Sequence, residues 1–488
     1  MKPFVKLNPE ISLRNDKGAT FLVKVNGAFL STYSAPSIMI LPPFIGKIFS
    51  EIGRYPYEEA VNKLAVSTGL TDTALKSFTQ QLLNSEIKRK LNIDQNLSLI
   101  FPEKILIDSD EPETRFFDQH PEWKWNDDFN PNRPTMPFNV NLMSTLKCNT
   151  DCIYCYANRK LEGDLLSSDE LIALIENLYS NGVINLTLTG GDLFAMKDWQ
   201  KVVKAALSKG YHPFISTKTP LSKKDIEFLR ELGYTDIQFS LDSNDPEILT
   251  THLKVDGKKY LDRVEKMLSD CDEIGLKVQI RTVITSFNSD IEHIKKFYIF
   301  LSAHSSISEW DITPAFFSHY KGVNTVQYKP DNEDLKQIYH FTKEDNLRFP
   351  ISLNKVSEKG YCLKLHDNVE SFAAHNVVCN ANYSCISILA NGDCVLCEML
   401  YESPEYKLGN IREQTVKELW NSEKALFLYN PPQSKISDDS PCHSCRVYST
   451  CKQGMNKRIC YVNIQKTGGN LSSPDPACPM APLYDLIL

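Results

Sequence analysis

Cys148-Asn149-Thr150-Asp151-Cys152-Ile153-Tyr154-Cys155 places three thiols in one loop, at x3 and x2 spacing, directly after a short apolar run over residues 139–143. Soft thiolate ligands suit iron-sulfur clusters and zinc, and three of them in one loop can converge on a single centre. The number is the informative part. A four-iron cluster held by three thiolates keeps one iron without a protein ligand, and an open coordination position is where a bound molecule can be activated. A zinc site completed by a distant fourth ligand, or cysteines that only pack, are the plainer readings of the same spacing.

Outward from this loop, residues 138–345 alternate short apolar runs with amphipathic helical patterns. Runs over 139–143, 186–189, 213–217, 236–241, 277–284 and 309–314 read as six strands, with helices between them, for example over 169–180 and 223–232. Repeated βα units make a parallel sheet with helices packed outside it, open or closed as a barrel, and put ligands at the carboxyl ends of the strands. The cysteine loop leaves the first strand at such an end.

The C-x3-C-x2-C loop with Tyr154 before its last cysteine resembles the signature of the radical S-adenosylmethionine enzymes. Further landmarks follow at the strand ends: Thr189-Gly190-Gly191-Asp192 is similar to the family's Gly-Gly-Glu motif, and Ser240-Leu241-Asp242 to its Ser-Leu-Asp. The resemblance implies a partial (β/α)6 barrel. It also implies a 4Fe-4S cluster on Cys148, Cys152 and Cys155, with S-adenosyl-L-methionine chelated to its open iron. Tyr154, Gly190, Gly191, Asp192, Ser240 and Asp242 are then cofactor-binding residues, Asp192 receiving the methionyl amine. The chemistry implied is reductive cleavage to a 5'-deoxyadenosyl radical that takes a hydrogen atom from substrate. The chain departs from the family at Thr217-Lys218-Thr219, where many relatives have Thr-Asn-Gly.

The chain has 14 cysteines, none before Cys148 and nine between Cys379 and Cys478. Cys379, Gly392 and Cys397, then Cys442-x2-Cys445-x5-Cys451, resemble the SPASM extension, the auxiliary-cluster domain of radical enzymes that modify peptides. Relatives carry a further cysteine where this chain has Met455, and a thioether is a poor substitute for a thiolate on iron. Cys460 is therefore expected to supply that ligand, with Cys394 in reserve. One auxiliary 4Fe-4S cluster would use Cys379, Cys385, Cys397 and Cys460, the other Cys442, Cys445, Cys451 and Cys478, making three clusters in all. Zinc knuckles at Cys394-x2-Cys397 and Cys442-x2-Cys445 are the competing reading. Glu398 stands where relatives that oxidise peptide side chains carry a carboxylate, which implies a catalytic proton acceptor. Cys271 and Cys362 read as core residues.

Residues 1–95 read as a small α+β unit. Strands over 19–25 and 28–33 meet at Asn26-Gly27, helices follow over 57–67 and 72–87, and residues 96–137 are polar and proline-dotted, as in a linker. The order of hairpin, then helices, over residues 7 to about 90 resembles the winged-helix-like recognition element of ribosomal-peptide maturases, which implies a leader peptide bound by strand addition. A bridging segment over 346–376 and the cysteine-rich domain over 377–488 complete the division.

Net charge is −7, with 42% apolar and 24% charged residues, and the amino-terminal unit has only the short basic run Lys88-Arg89-Lys90, so no nucleic-acid partner is expected. The longest apolar stretch, residues 38–46, is broken by two prolines and falls short of the roughly 20 residues a membrane span needs. No secretory signal is read at the start, so a cytoplasmic protein is expected, where clustered cysteines hold metal more often than they form disulfides. These features together predict an enzyme that forms a thioether or carbon-carbon crosslink in a precursor peptide bound through its leader, fed by a flavodoxin- or ferredoxin-type donor. The alternatives are a formylglycine-generating enzyme and a non-catalytic zinc adaptor.

Overall fold

The computed structural model describes all residues except 1, 17, 26–37, 94–96, 116–132, 316–327, 355, 362–365, 377, 402, 456 and 483–488. It divides into two compact units, Met1–Gly27 with Ser34–Phe138, and Ala28–Tyr33 with Asn139–Leu488.

In the first unit, strands β1 (Phe4–Leu7), β2 (Ile11–Asp16), β3 (Ala19–Lys24) and β4 (Ile38–Leu41) precede helices α1 (Pro43–Glu51), α2 (Tyr57–Thr68) and α3 (Asp72–Leu82). Strands β5 (Arg89–Asn92), β6 (Ser98–Phe101) and β7 (Leu106–Ser109) follow. The three helices are followed by the β5-β6 hairpin, whereas the sequence reading places its hairpin before the helices.

Two expectations change here. The partner expected for β3, residues 28–33, lies outside the described residues; β3 pairs antiparallel with β2 and β4. Helix α3 stops at Leu82, short of the expected residue 87, because Leu83 is extended and Asn84 takes a φ of 50°. The segment expected as a linker contributes β6 and β7. Phe101, Ile105 and Leu106 are fully buried in one core with Val5, Leu7, Phe49 and Leu82, and Phe101 meets the rings of Phe49 and Phe78 edge-on at 6.0 and 5.8 Å. An apolar strand that completes a core cannot be left out as a spacer.

The second unit carries the parallel strands β8 (Asn139–Thr145), β9 (Asn185–Gly190), β10 (Ser216–Thr217), β11 (Asp236–Ser240), β12 (Lys277–Ile284), β13 (Ile307–Pro314) and β14 (Ile351–Leu353). They neighbour one another in chain order, a single parallel bridge from Thr187 to Phe214 joining β9 to the approach of β10. Two of the intervening helices start at the side-chain caps Ser167 and Ser222, each closing a capping box with Glu170 or Asp225. A small hairpin, β15 (Val356–Ser357) with β16 (Gly360–Tyr361), leads to the cysteine-rich region. There β17 (Cys385–Ile388) pairs parallel with the outer edge of β8, and the antiparallel strands β18 (Asp393–Val395) and β19 (Lys407–Asn410) extend the sheet. The sheet is thus a partial barrel whose first strand is shared with the auxiliary domain. The turn at Asn391-Gly392 falls where the sequence places it, with Gly392 at a φ of 88°.

Candidate active site

The cysteine loop leaves β8 and is pinned from outside by Asp151 and Ile153, whose amides donate to the carbonyls of Leu253 and His252 at 2.8 and 2.9 Å. The Thr150 hydroxyl lies 3.4 Å from the sulfurs of both Cys148 and Cys152, and the Cys155 amide donates to the Cys152 carbonyl at 3.1 Å. Thr150 thus sits between the Cys148 and Cys152 sulfurs, and the Cys155 thiol acts electrostatically on that of Cys152. Burial pushes the Cys152 thiol up to about 12, against the pull of the nearby Lys218 ammonium. A metal centre that takes the place of the thiol protons removes that penalty, so the donor set fits a thiolate-held cluster.

Gly190 and Gly191 are required by backbone proximity. A Cβ on Gly190, whose φ is 137°, would stand 2.2 Å from the Thr145 carbonyl oxygen, and one on Gly191 would stand 2.1 Å from that of Lys147. The amides of Gly191 and Asp192 donate to these same two carbonyls at 2.7 Å. The Gly-Gly end of β9 is thus laced to the root of the cysteine loop.

Asp192, which the resemblance assigns to the cofactor amine, accepts from the chain itself. Its carboxylate receives the Thr217 hydroxyl at 2.9 and 2.8 Å and the amides of Phe194, Lys218 and Thr219 at 3.0, 2.9 and 3.1 Å. The shorter acid folds back and holds residues 217–219, the tripeptide that departs from the family.

Asp242 is 1% exposed. It is met by Lys218 Nζ at 3.2 Å from each oxygen, by the Tyr154 hydroxyl in a short hydrogen bond, and by the Val283 amide at 3.1 Å. His252 Nδ1 lies 3.8 Å away. Burial alone would raise this carboxyl, but Lys218, His252 and Tyr154 outweigh it and hold it well below the usual range. Ser240 closes β11 and accepts from Gln238 at 2.9 Å. Sequence reasoning missed Lys218 and His252. The substituted tripeptide was the signal for the first, and no motif marks the second.

Glu398 reaches back to the barrel: its oxygens accept from the Tyr156 and Thr189 hydroxyls, both at 3.0 Å. Burial raises its carboxyl above the usual range, the two hydroxyls pulling against it.

The cysteine-rich region forms two groups. Cys379, Cys385, Cys397 and Cys460 act on one another electrostatically: Cys460 and Cys379 both raise the Cys397 thiol, and Cys379 raises that of Cys385. Cys442, Cys445, Cys451 and Cys478 are coupled in the same way and line one cavity with Tyr448, Lys452 and Asp475. Cys394 is fully buried on β18, opposite Ile388 and Gly409, and its thiol is raised by burial and by Asp393. Cys271 is fully buried, and Cys362 lies outside the described residues. Among the described residues no three His, Cys, Asp or Glu side chains are spaced to share one metal ion. Wider-set sulfurs suit a cluster, where each thiolate takes its own iron. No helix among the described residues is long and apolar enough to cross a membrane.

Residues 142–300 match the model of the radical SAM superfamily, and residues 379–446 that of SPASM, an iron-sulfur cluster-binding domain. The chain is 27% identical over 374 residues to Fe-coproporphyrin III synthase of Methanosarcina barkeri, covering 71% of this chain and 88% of that one. It is 28% identical over 163 residues to the sporulation killing factor maturation protein SkfB of Bacillus subtilis, covering 32% of this chain and 38% of that one. In fold it is similar to Streptococcus suis SuiB bound to the precursor peptide SuiA, with a TM-score of 0.63 at 17% identity over 98% of this chain and 100% of that one. SuiB bound to S-adenosylmethionine gives a TM-score of 0.61 at 15% identity, over 97% of this chain and 100% of that one.

Proposed function

We propose, for a chain that belongs to the radical SAM enzymes and carries a SPASM domain, that it modifies a ribosomally made precursor peptide by forming an intramolecular thioether or carbon-carbon crosslink. The observation that carries this reading is Glu398, a half-buried carboxylate one residue after Cys397, fixed by two hydroxyls of the barrel. After one hydrogen atom has gone to the 5'-deoxyadenosyl radical, closing the crosslink releases a proton and one electron; a carboxylate raised by burial is suited to take the proton, and an auxiliary cluster would take the electron. A peptide substrate is supported by the likeness of nearly the whole chain, amino-terminal unit included, to a structure solved with a precursor peptide.

Cys148, Cys152 and Cys155 would hold the first cluster and leave one iron open, and Cys379, Cys385, Cys397, Cys460 and Cys442, Cys445, Cys451, Cys478 the two auxiliary clusters. When bound, the first cluster with S-adenosylmethionine supplies one-electron cleavage of the sulfonium and abstraction of a hydrogen atom. Gly190 and Gly191 bring the end of β9 against the cysteine loop. Asp192 keeps residues 217–219 in place, so that Lys218 reaches Asp242, and Tyr156 and Thr189 aim the Glu398 oxygens that receive the proton. A low-potential flavodoxin or ferredoxin supplies the electron, in the cytoplasm.

The long match to Fe-coproporphyrin III synthase favours a second reading, a tetrapyrrole substrate. It leaves part of this chain uncovered, where the peptide-bound neighbour is matched along nearly all of it. Anaerobic coexpression with a short peptide encoded beside this gene, followed by mass spectrometry, tests the proposal. Loss of a pair of hydrogens from the core peptide is expected. Release of 5'-deoxyadenosine with every such peptide left unchanged overturns it.

A further inference from the structure

Two lysines in the cysteine-rich region are buried as deeply as the leucines around them: Lys452 and Lys457 are each 1% exposed. Lys452 follows Cys451 at the end of the helix Tyr448–Lys452. Its Nζ donates to the carbonyls of Leu471 and Ser473, both at 2.7 Å, and the side chain lines one cavity with Cys442, Cys445, Cys451 and Cys478. Lys457 donates to the Leu428 carbonyl at 2.5 Å and lies 5.3 and 5.8 Å from the ring centroids of Tyr429 and Tyr461, a lining of carbonyl and π-faces suited to a cation. Its charge bears on Cys379. Each cysteine group thus has one buried lysine of its own.

A buried ammonium is costly unless a counter-charge is buried with it. Asp475, 2% exposed, is one such charge: it acts on Lys452 and on thiols of both groups, and its oxygens accept from the Cys460 and Ala477 amides at 2.7 and 2.9 Å. It adds negative charge to both sites. Protonated thiols offer no counter-charge, whereas an oxidised four-iron cluster on four thiolates is a dianion and gains another negative charge on reduction.

We propose that Lys457 and Lys452 are built-in counter-charges for the two auxiliary clusters, each raising the reduction potential of its own cluster so that it accepts an electron more readily. This rests on the two-cluster reading above. An ammonium near ligand sulfur stabilises the reduced state more than the oxidised one, because the reduced cluster carries the larger negative charge. The effect is local: Lys452 lines the cavity of the Cys442 group, and the Lys457 carbonyl accepts the Cys379 amide at 2.8 Å, which keeps that residue beside the other group.

The test is an anaerobic redox titration of the full-length, iron-loaded enzyme, followed by electron paramagnetic resonance with iron and sulfide analysis. Lys452→Met is expected to lower the reduced-to-oxidised ratio of the Cys442 cluster at least tenfold at fixed potential, which is 59 mV for a one-electron couple. The other auxiliary cluster should stay within threefold. Lys457→Met should do the reverse. Unchanged midpoints in fully loaded variants overturn the proposal. If Lys452→Met does not load, Lys452→Gln and Lys452→Arg decide: loading by Arg alone supports the charge requirement, and failure of all three shows a packing role and overturns it. A wild-type chain with zinc in these sites and no one-electron couple there sinks the two-cluster reading itself, a different result from unchanged midpoints.

Discussion

Lys218 holds its ammonium 3.2 Å from both carboxylate oxygens of Asp242, across the carboxyl ends of the adjacent strands β10 and β11. The pair exists because Asp192 fixes the backbone of residues 217–219 from below, its carboxylate accepting the Lys218 amide at 2.9 Å. Two acidic residues that family resemblance places side by side as cofactor ligands thus differ in kind. One is committed to the chain, and the other is a buried anion with a lysine as its counter-ion.

Lys218→Met leaves Asp242 buried without that cation. Removing one partner of a buried pair costs about 3–5 kcal/mol, and here the Tyr154 hydroxyl and Val283 amide still bind the carboxylate, which places the loss toward the lower figure. The denaturant midpoint should fall in Lys218→Met and recover in the double variant with Asp242→Asn. Because the folded Asp242 carboxyl lies below its usual range, the pair's contribution is complete above that range and is lost as pH falls through it toward the folded value. Simple additivity of the two substitutions would show that the residues do not interact.

Glu398→Gln separates hydrogen abstraction from proton transfer. Release of 5'-deoxyadenosine should persist, while crosslinked peptide falls by roughly 10²–10⁴-fold, the range for loss of a general base. The base works ionised and burial raises its carboxyl, so wild-type product formation should decline with falling pH at values above the ordinary glutamate value of about 4.3. The residual rate of the Gln variant should be flat over that range. Unimpaired crosslinking in Glu398→Gln assigns the residue a structural role.

What could be read from the chain followed from how local the signal is. The cysteine loop, the Gly190-Gly191 pair and the Asn391-Gly392 turn are each written within a few residues, and the structure places each where the spacing does. Strands β6 and β7 were invisible as core because their partners are remote in sequence or lie across a turn: β7 pairs with β1, Phe4 opposite Ser109. The saturation of Asp192 depends on donors some 25 residues away, and no motif encodes that a shorter acid will turn inward. Residues 213–217 read as a full strand, yet pairing there is confined to Ser216–Thr217 and one bridge at Phe214.

Gly191→Ala should unseat the first cluster and spare the others. A Cβ there lies 2.1 Å from the Lys147 carbonyl oxygen, so the root of the cysteine loop must move away from β9. Iron content should drop by about four per chain, one four-iron site, with the auxiliary signals kept and 5'-deoxyadenosine formation abolished. Full iron loading with normal cofactor cleavage would mean that the loop tolerates the displacement.

The ligand that stands in for Met455 is decided by comparing Cys460→Ser with Cys394→Ser. Cys460 acts electrostatically on Cys379 and Cys397, and its amide is held by Asp475 at 2.7 Å. Cys394 is sealed inside the sheet opposite Ile388, with Asp393 as the charge that bears on its thiol. Moving Cys394 onto iron would mean breaking β18 out of the sheet, whereas Cys460 already lies with the other three. The reconstituted wild type should carry about twelve irons by its three four-iron sites. Cys460→Ser should lose the resonance of one auxiliary cluster with the matching iron, while Cys394→Ser keeps full iron and shows at most a modest loss of thermal stability from the smaller, more polar side chain. The opposite pattern, iron lost from Cys394→Ser alone, would require β18 to rearrange when the cluster assembles.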